Sequence, residues 1–297
     1  MSISGQNLSI VIVTLKSENV IHQCLNSIDK KIPIIVVENS NNQRFKEDLE
    51  SRYKNLKCVL SKSNIGMGAG NNIGIKLAKT ENVLILNPDV TLQPNTLEEI
   101  FRASKNIEDF SILAPISSDA NYPNYGMFSK NQMIKIPDSP FVVEYVDGFA
   151  MLINKKKFYD DYFDENFFLY LENNDLCLRA NKSGGSIYII PTAKINHGGA
   201  KTLDPKYKNE VEFSRNWHWV WSKFYFNKKN FGIIKAIKEC FLIYLSAMLK
   251  FIFHSIILNK FKRRIYFNRA SGFYNSLLGK PSWYRPNVQG IGEIKIR

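Results

Sequence analysis

The chain has 297 residues, of which 44% are hydrophobic and 23% are charged, and its formal net charge is +13. This composition is typical of a folded globular protein and excludes an intrinsically disordered one. The four cysteines, Cys24, Cys58, Cys177 and Cys240, are far apart in the sequence and form no C-x-x-C pair. A disulfide framework or a zinc site is therefore not expected. The expected location of the protein is a reducing cytosol. The N-terminal stretch MSISGQNLSIVIV lacks a basic segment and a cleavage site, so no secretion signal is predicted.

The positive charge is concentrated near the C-terminal end. From Lys228 to Arg264 there are nine Lys or Arg residues and one acidic residue, Glu239, so this stretch carries +8 of the total of +13. Such an excess suits an anionic partner, which is a nucleic acid, a nucleotide or an acidic membrane. The basic residues lie among apolar ones and no nucleic-acid-binding motif accompanies them. We therefore expect no nucleic-acid partner.

Short apolar runs alternate with helix-like segments in the first half of the chain. Strands are predicted over residues 8–14, 32–38, 57–60 and 83–86, and helices over residues 19–29, 43–53, 69–78 and 95–104. The runs are continuous and rich in β-branched residues, as parallel strands that are covered on both faces are. The pattern predicts an α/β sheet with right-handed crossovers, whose ligands bind at the carboxyl ends of the strands.

The second half of the chain is less regular. Residues 117–140 are predicted to form a long surface loop or lid, residues 172–182 a helix, and residues 186–190 a strand that ends at Pro191. Residues 231–258 could form one helix about 42 Å long, but its apolar stretch is shorter than the roughly 20 residues that span a bilayer. An amphipathic helix pair at a membrane surface is predicted instead, with Lys260, Lys262, Arg263 and Arg264 toward the lipid headgroups. In the alternative, these helices only pack on the rest of the protein.

A glycine-rich segment, NIGMGAGNNIG, occupies residues 64–74 after the third predicted strand. Glycines let a backbone approach a ligand closely, and a following helix presents a positive N-terminus to anions. The dinucleotide fingerprint G-x-G-x-x-G fails because Asn71 or Ile73 stands where its last glycine belongs, and the chain has no P-loop motif. The segment therefore predicts a binding loop for a ligand other than NAD.

Two polar residues near strand ends are candidates for a divalent metal site. Asp89 follows the fourth predicted strand, where an ion and a diphosphate could meet, since Mg²⁺ and Mn²⁺ prefer oxygen ligands. His197 precedes two glycines, and a neutral ring nitrogen there could be a second ligand. In the alternative, Asp89 is an ordinary turn or cap residue.

Three further carboxylates stand among apolar residues. Glu38 ends the second predicted strand, where it could accept hydrogen bonds from the N–H of a uracil or thymine base or support an ordinary turn. Glu172 and Asp175 lie in an aromatic-rich stretch and would share one face of a helix. Buried carboxylates require a partner or a catalytic use. Arg179 follows Asp175 by four residues and could pair with it, which would make that carboxylate structural.

Taken together and in this order, the segments SIVIVT, VVENS, NIGMGAGNNIGI, LILNPDV, VDGFAMLI, FDENFFLYLENNDLCLR and INHGG resemble glycosyltransferase family 2, of the rhamnosyltransferase-like kind, from about residue 8 to residue 202. The resemblance implies the GT-A fold, a Rossmann-like, mostly parallel sheet flanked by helices, over residues 1–212. Its nucleotide-binding half would cover about residues 1–115 and its acceptor-binding half about residues 116–212. Residues 213–297 are expected to form a helical, amphipathic extension.

The resemblance also implies a reaction and its ligands. It predicts an inverting hexosyltransferase that moves a sugar, such as rhamnose, from a UDP- or dTDP-sugar to a hydroxyl of a cell-envelope polysaccharide or lipid-linked glycan. Mn²⁺ or Mg²⁺ is the expected cofactor. The expected acceptor is a glycan or a polyprenyl-diphosphate-linked acceptor. The expected location is the cytoplasm, peripheral on the cytoplasmic face of the inner membrane.

Individual roles follow from the matching motifs. Glu38 is expected to contact the base, and Asp89 and His197 to bind the metal. The residues expected to bind the nucleotide-sugar are Thr14, Glu38, Asn64, Gly66, Asn71, Asn72, Asn87, Asp89, Asp147 and Gly148. The family's Glu-Asp-x-Asp motif reads Glu172-Asn173-Asn174-Asp175 here, and Asn173 cannot act as a base. Glu172, which we favour, or Asp175 must then be the catalytic base.

Asn173 also keeps a second function open, that of a non-catalytic nucleotide-sugar or glycan-binding relative with the same fold. Release of free nucleotide diphosphate over many turnovers would separate the two, since a binding protein releases none. A nucleotidyltransferase or a dehydrogenase is disfavoured because no glycine-rich loop follows the first strand. A nucleic-acid-binding protein is suggested by charge alone.

Overall fold

The structure is a computed structural model that describes residues 8–119, 122–126, 136–198 and 207–286. The chain divides into two compact units, Met1–Asp164 with Asn173–Leu203, and Glu165–Glu172 with Asp204–Arg297. We call them the sheet unit and the helical unit. The short segment Glu165–Glu172 thus groups with the C-terminal helices and not with the sheet that flanks it in sequence.

The described part of the sheet unit contains strands and helices in alternation. The strands are β1 (Leu8–Thr14), β2 (Ile34–Glu38), β3 (Leu56–Leu60), β4 (Asn82–Leu86), β5 (Val90–Leu92), β6 (Phe110–Ser117), β7 (Tyr125–Gly126), β8 (Phe141–Val142), β9 (Tyr145–Val146), β10 (Ala150–Asn154) and β11 (Ser186–His197). The helices are α1 (Ile21–Asn26), α2 (Gln43–Arg52), α3 (Met67–Leu77), α4 (Thr96–Asn106) and α5 (Glu172–Lys182), whose first residue belongs by its contacts to the helical unit.

The main sheet has the order β3-β2-β1-β4-β10-β6-β11-β5, and β8 pairs with β11. Strands β1 to β4 are parallel, β10 runs antiparallel between β4 and β6, and β5 runs antiparallel to β11. The predicted α/β fold with a mostly parallel sheet is therefore confirmed. Since β1, β2, β3 and β4 are parallel neighbours, their carboxyl ends lie at one edge, where polar residues replace the apolar runs.

Helices cover both faces of the sheet, and this explains the continuous apolar runs. Every residue of β1 is buried. Ile10 and Ile12 belong to the core on one face, and Val11 and Val13 belong to the core on the other face. Because side chains alternate along a strand, a strand that is buried on both faces cannot alternate between apolar and polar residues.

One predicted boundary is wrong. Pro191 does not end the strand that begins at Ser186, because β11 continues to His197. Its pairing with β6 shifts register between Ile190 and Lys194, so the proline lies in an irregularity of the strand. A proline that lacks the N–H of a ladder bond is tolerated at such a bulge. Residues 120–121 and 127–135 of the expected lid lie outside the described residues.

The described part of the helical unit contains α6 (Lys208–Phe231), α7 (Ile233–Ile256) and α8 (Lys260–Leu277). Gly232 separates α6 from α7 with φ of 88°, a left-handed conformation that glycine adopts without strain. The helices pack around Val220, Phe224, Cys240 and Phe273, among others. Within the described ranges, each helix is too short or too polar to cross a bilayer.

Gly74 on α3 allows that helix to pack closely against β1, because a methyl group at this position would overlap the Val11 side chain. Gly74→Ala should therefore lower the free energy of unfolding by about 1–3 kcal/mol through overpacking. Lys76→Ala, on the exposed side of the same helix, is the matched control and should change it by less than about 0.5 kcal/mol. Urea denaturation measures both values, and equal stability of the two variants would contradict the close packing.

Candidate active site

The carboxylate of Glu38 holds the turn that follows β2. Glu38 is fully buried. Its Oε1 accepts hydrogen bonds from the backbone N and the Oγ of Ser40, at 2.9 and 2.5 Å, and its Oε2 accepts one from the backbone N of Asn42 at 2.7 Å. The structure thus gives this carboxylate a local structural role. The contact with a base stays a prediction, and it would use the remaining lone pairs of the two oxygens.

The glycine-rich loop is fixed by two asparagines. The Asn64 Oδ1 accepts a hydrogen bond from the backbone N of Gly66 at 3.1 Å, and the Asn39 Nδ2 donates to the Gly66 O at 3.0 Å. Gly66 has φ of 90°, which disfavours any residue with a side chain. A methyl group at Gly70 would lie 2.8 Å from the Val13 side chain. The first turn of α3 therefore packs against the end of β1.

Three buried polar atoms near these strand ends have no hydrogen-bond partner among the residues that the structure describes. They are the Thr14 Oγ1, the Asn39 Oδ1 and the Asn71 Oδ1. An unsatisfied buried polar group costs about 1–3 kcal/mol, so a ligand that hydrogen-bonds to these atoms would regain that cost. Asn72 differs, because its side chain forms two hydrogen bonds, of 2.8 and 3.0 Å, with the backbone of Phe163. Asn39 had not been predicted as a site residue, although it follows Glu38 directly at the strand end.

Asp89 and His197 come together at the sheet edge. The pairing of β5 with β11 places His197 opposite Val90, and the Gly198 N donates to the Asp89 O at 2.9 Å. The His197 Nε2 then lies 3.5 Å from the Asp89 Oδ1. The imidazole stacks on the Phe149 ring with a centroid distance of 4.1 Å, which fixes its orientation. Asn87 lies beside this pair and donates its backbone N–H to the Phe149 O.

This pair fits a divalent cation. Two ligand atoms at right angles around an ion about 2.1 Å away lie about 3.0 Å apart, so a separation of 3.5 Å needs only a small adjustment. Across residues 8–119, 122–126, 136–198 and 207–286, no group of three or more His, Cys, Asp or Glu side chains could hold a metal ion. Two protein ligands leave most coordination positions open, as metals that bind substrate phosphates require.

Asp147 and Gly148 lie in the loop between β9 and β10. Burial raises the pKa of Asp147, and the nearby His197 lowers it, so the two side chains influence each other electrostatically. The Asn173 Nδ2 donates to the Val146 O at 2.7 Å. A methyl group at Gly148 would lie 3.2 Å from the Asn173 Cβ. The asparagine that replaces the usual base therefore supports the loop that carries Asp147.

Asp175 forms the ion pair that the sequence suggested. It is fully buried, and its Oδ2 accepts a hydrogen bond from the Arg179 Nε at 3.0 Å. The same guanidinium donates to the backbone carbonyls of Asp161 and Tyr162. A carboxylate that is held in this way anchors the segment before the aromatic stretch. This contact favours Glu172 over Asp175 as the catalytic base.

The segment that leads to Glu172 is fixed within the helical unit. The Phe167 ring packs edge-on against Tyr225 of α6, and the Phe168 ring lies 4.6 Å from the ring of His218. The Ser222 Oγ donates to the Leu169 O at 2.7 Å. These contacts explain why the stretch is so rich in aromatic residues.

Glu172 is a buried carboxyl with one oxygen that is unsatisfied among the described residues. It is 9% exposed, and its Oε2 accepts or donates no hydrogen bond within the described residues. Burial raises the pKa of Glu172 to about 7, although a hydrogen bond from its own backbone opposes the shift. A carboxyl with a pKa near the working pH can both take up and release a proton, as a general base must.

The matched residues and the fold define the family. Residues 9–163, just over half of the chain, match the family model described as Glycosyl transferase family 2. The fold described above is that of a GT-A glycosyltransferase, as the resemblance implied. The chain belongs to glycosyltransferase family 2 and is a glycosyltransferase.

Several relatives of this chain are named as glycosyltransferases. The chain is 25% identical to the low-salt glycan biosynthesis hexosyltransferase Agl10 of Haloferax volcanii, over 70% of this chain and 69% of that protein. It is 27% identical to the rhamnosyltransferase WbbL of Escherichia coli, over 71% and 88% of the two chains. It is 22% identical to the N-acetylglucosaminyl-diphospho-decaprenol L-rhamnosyltransferase of Mycobacterium tuberculosis, over 57% and 67%.

Solved structures share the fold. The crystal structure of S. aureus TarS 1-349 in complex with UDP-GlcNAc has a TM-score of 0.51 at 15% identity, over 96% of this chain and 95% of that chain. The crystal structure of GalNAc-T7 with UDP, GalNAc and Mn²⁺ has a TM-score of 0.55 at 17% identity, over 75% of this chain and 50% of that chain. At these identities the similarity establishes the fold alone.

The ion pair of Asp175 with Arg179 predicts a stability defect in Asp175→Asn. Loss of one buried, charge-assisted hydrogen bond should lower the free energy of unfolding by about 2 kcal/mol. Asp161→Asn is the matched control, since the Asp161 carboxylate contacts the same arginine but is 81% exposed, and it should change stability by less than about 0.5 kcal/mol. Urea denaturation measures both. A stable Asp175→Asn protein that has lost turnover would instead assign this residue to the chemistry.

The raised pKa of Glu172 predicts a pH-dependent stability difference. The folded-state pKa of about 7 exceeds the ordinary value of 4.5, so protonated Glu172 stabilises the fold by about 3 kcal/mol relative to the ionised form. This contribution is complete below pH 4.5 and is lost as the pH rises through 7. The side chain of Glu172→Gln stays neutral at every pH. The free energy of unfolding of this variant, measured relative to the wild type, should therefore be up to about 3 kcal/mol higher at about pH 8 than at about pH 4.5.

Urea unfolding of both proteins at the two pH values measures this difference. Glu98→Gln, on the exposed surface of α4, is the control and should show no such change. Parallel pH profiles for the wild type and Glu172→Gln would rule out a raised pKa at this residue.

Proposed function

We propose that this glycosyltransferase is inverting and metal-assisted, and that it transfers a sugar from a UDP- or dTDP-sugar to a hydroxyl of a lipid-linked or cell-envelope glycan. One observation carries the proposal: the Asp89 carboxylate and the His197 imidazole lie 3.5 Å apart where the strands of the sheet present their carboxyl ends. In an open α/β sheet this edge is where ligands bind.

The donor would lie along the ends of β1 and β2 and the first turn of α3. Thr14, Asn39 and Asn71 would hydrogen-bond to its polar groups, since each has a buried oxygen that lacks a partner within the described ranges. Two solved structures with the same fold contain UDP or UDP-GlcNAc, which supports a nucleotide-sugar donor. Rhamnose is the proposed sugar because two relatives are named rhamnosyltransferases.

Asp89 and His197 would hold Mn²⁺ or Mg²⁺. When bound, the ion would supply positive charge against the departing diphosphate. The protein supplies the orientation: Phe149 stacks on the imidazole, and the Gly198 N–H fixes the Asp89 backbone. Asp147, in the neighbouring loop, would face the donor sugar and the acceptor.

Glu172 is proposed as the general base. Its Oε2 would accept the proton of the acceptor hydroxyl as that oxygen forms a bond to the anomeric carbon of the sugar. The bond from that carbon to the diphosphate breaks, and the nucleoside diphosphate leaves with the electron pair. One displacement from the opposite face inverts the anomeric configuration. A pKa of about 7 lets this carboxyl be ionised before the step at neutral pH.

The proposed acceptor is a glycan on a polyprenyl diphosphate. The mycobacterial relative is named for such a substrate, a diphospho-decaprenol. The basic and apolar C-terminal helices also suit a protein that acts at a membrane surface. The enzyme would then act in the cytoplasm at the inner face of the inner membrane. A nucleotide-sugar-binding relative without catalysis is the competing function, because Asn173 replaces the usual base.

Nucleotide release from UDP-, dTDP- and GDP-sugars, with and without Mn²⁺, tests the proposal. A lipid-linked glycan serves as acceptor, and NMR of the product reports the anomeric configuration. We expect metal-stimulated, multiple-turnover release with a UDP- or dTDP-sugar, and its loss in Asp89→Asn and His197→Gln. Turnover that proceeds equally in EDTA, or a product with retained configuration, would overturn the metal or the inverting mechanism respectively.

Glu172→Gln tests the base in the same assay. Its kcat should fall by about 10²–10⁴-fold with donor KM unchanged, whereas Glu98→Gln should match the wild type. The wild-type kcat should decrease about tenfold per pH unit below pH 7, because the base must be ionised. Absence of turnover by the wild type with every donor, combined with tight donor binding, would favour the non-catalytic function.

A further inference from the structure

Helix α7 is apolar on two opposite sides, and its small residues face inward. Its buried positions are Ala236, Cys240, Ala247 and His254, which are three, four or seven residues apart or a sum of these, and therefore share one side of a helix. Three of these four buried residues are small, and the larger Ile243 and Tyr244 are only partly buried where they pack against the core. An ordinary surface helix would place its bulky apolar residues on this inward side.

Most of the bulky apolar residues of α7 are exposed and point away from the helical core. Their exposed members, which we call the outward face, are Ile234, Ile237, Phe241, Leu242, Leu245, Leu249, Ile252, Phe253 and Ile256. Leu242, Leu249 and Ile256 are 71%, 60% and 74% exposed. Monomeric proteins rarely expose a continuous apolar patch of this kind, and such patches mark docking surfaces.

The turn between α7 and α8 extends the outward face. Ile257 and Leu258 are 51% and 78% exposed, so three consecutive aliphatic residues, with Ile256, project from one helix end. Beside the outward face, between α7 and α8, lies a cavity of about 290 Å³ lined by Leu242, Ile243, Ser246, Ala247, Tyr266 and Arg269. The apolar residues and the arginine of this cavity suit an acyl chain below an anionic headgroup.

Exposed cations are close in sequence to this apolar surface, on α7 and α8 and at the end of α6. They are Lys228, Lys229, Lys235, Lys238, Lys250, Lys260, Lys262, Arg263 and Arg264. The one acidic residue of the stretch, Glu239, is bonded to Lys235 at 2.7 Å. Lys260, Lys262 and Arg263 directly follow the aliphatic turn in sequence. Apolar residues that are bordered by Lys and Arg are the combination that anionic lipid surfaces attract.

We infer that the outward face of α7 and the turn after it form a docking surface for an anionic phospholipid membrane. The charges favour lipid over a second copy of the chain, because a symmetric dimer would bring two stretches of +8 together. The helix would lie in the interface, since every helix within the described ranges is too short or too polar to span a bilayer. This inference does not depend on the proposed donor, metal or base.

Vesicle flotation with the full-length protein, in the absence of donor and acceptor, tests the inference. We expect binding to vesicles of phosphatidylcholine mixed with phosphatidylglycerol, weaker binding to phosphatidylcholine alone, and loss of the difference at high salt. Leu242→Gln, Leu249→Gln and Ile256→Gln combined should weaken binding by at least about tenfold. The three positions are exposed, so the fold should persist, and circular dichroism and urea denaturation check this.

A charge variant separates electrostatic from apolar attraction. Lys262→Gln with Arg263→Gln should weaken binding to the anionic vesicles by roughly 25-fold, about fivefold per charge, and should have little effect on neutral vesicles. Lys54→Gln with Lys57→Gln removes the same charge from exposed positions of the sheet unit and should have little effect on either. An equal effect of the two charge variants would point to net charge alone and would overturn the docking surface.

The competing occupant is also measurable. If a second copy covers the outward face, light scattering should show a dimer that the triple glutamine variant converts to a monomer. That result, together with unchanged vesicle binding by the triple variant, would overturn the inference. A monomeric wild type whose vesicle binding the triple variant abolishes would support it.

Discussion

The pairing of β5 with β11 is the contact on which the candidate site depends. It places His197 opposite Val90, so that the imidazole meets the carboxylate of Asp89 although the two residues are more than one hundred positions apart in the chain. The fully buried strands fix where this meeting occurs, because polar side chains become possible only where the apolar runs end. Phe149 then restricts the imidazole ring by stacking on it. Burial, register and one aromatic contact thus position the two side chains that we propose as metal ligands.

The sequence predicted the features of the structure that depend on local sequence patterns. The strands of the first half followed from continuous β-branched runs, and the pair of Asp175 with Arg179 followed from helical spacing. The three-residue strand β5 was not predictable, since such a short run forms a strand only where β11 provides its partner. The continuation of β11 beyond Pro191 was not predictable either, because it depends on a register shift in the pairing of β11 with β6. The raised pKa of Glu172 arises from burial by the folded chain, and no local pattern contains that information.

Several polar groups of the candidate site are buried without a hydrogen-bond partner among the described residues. Buried oxygens of Thr14, Asn39 and Asn71 lack protein partners within the described ranges, and burial raises the pKa of the Glu172 carboxyl to about 7. Each of these features costs folding free energy. Glu38 and Asn72 differ, because nearby backbone groups form hydrogen bonds with both of their side chains. The positions left unsatisfied are therefore the ones where a bound substrate would add most to stability.

The division of the chain between residues 172 and 173 affects how this protein can be cut or recombined. The family match ends at residue 163, so a fragment chosen by that match would stop before the motifs that contain Glu172 and His197. It would lack the segment before Glu172 and also α6, whose side chains hold that segment. A chimera that exchanges the C-terminal helices should for the same reason carry residues 165–172 along with them. The conformation of residues 165–172 thus depends on the helices that contact them, and the helices of a homologue would hold this segment in a different conformation.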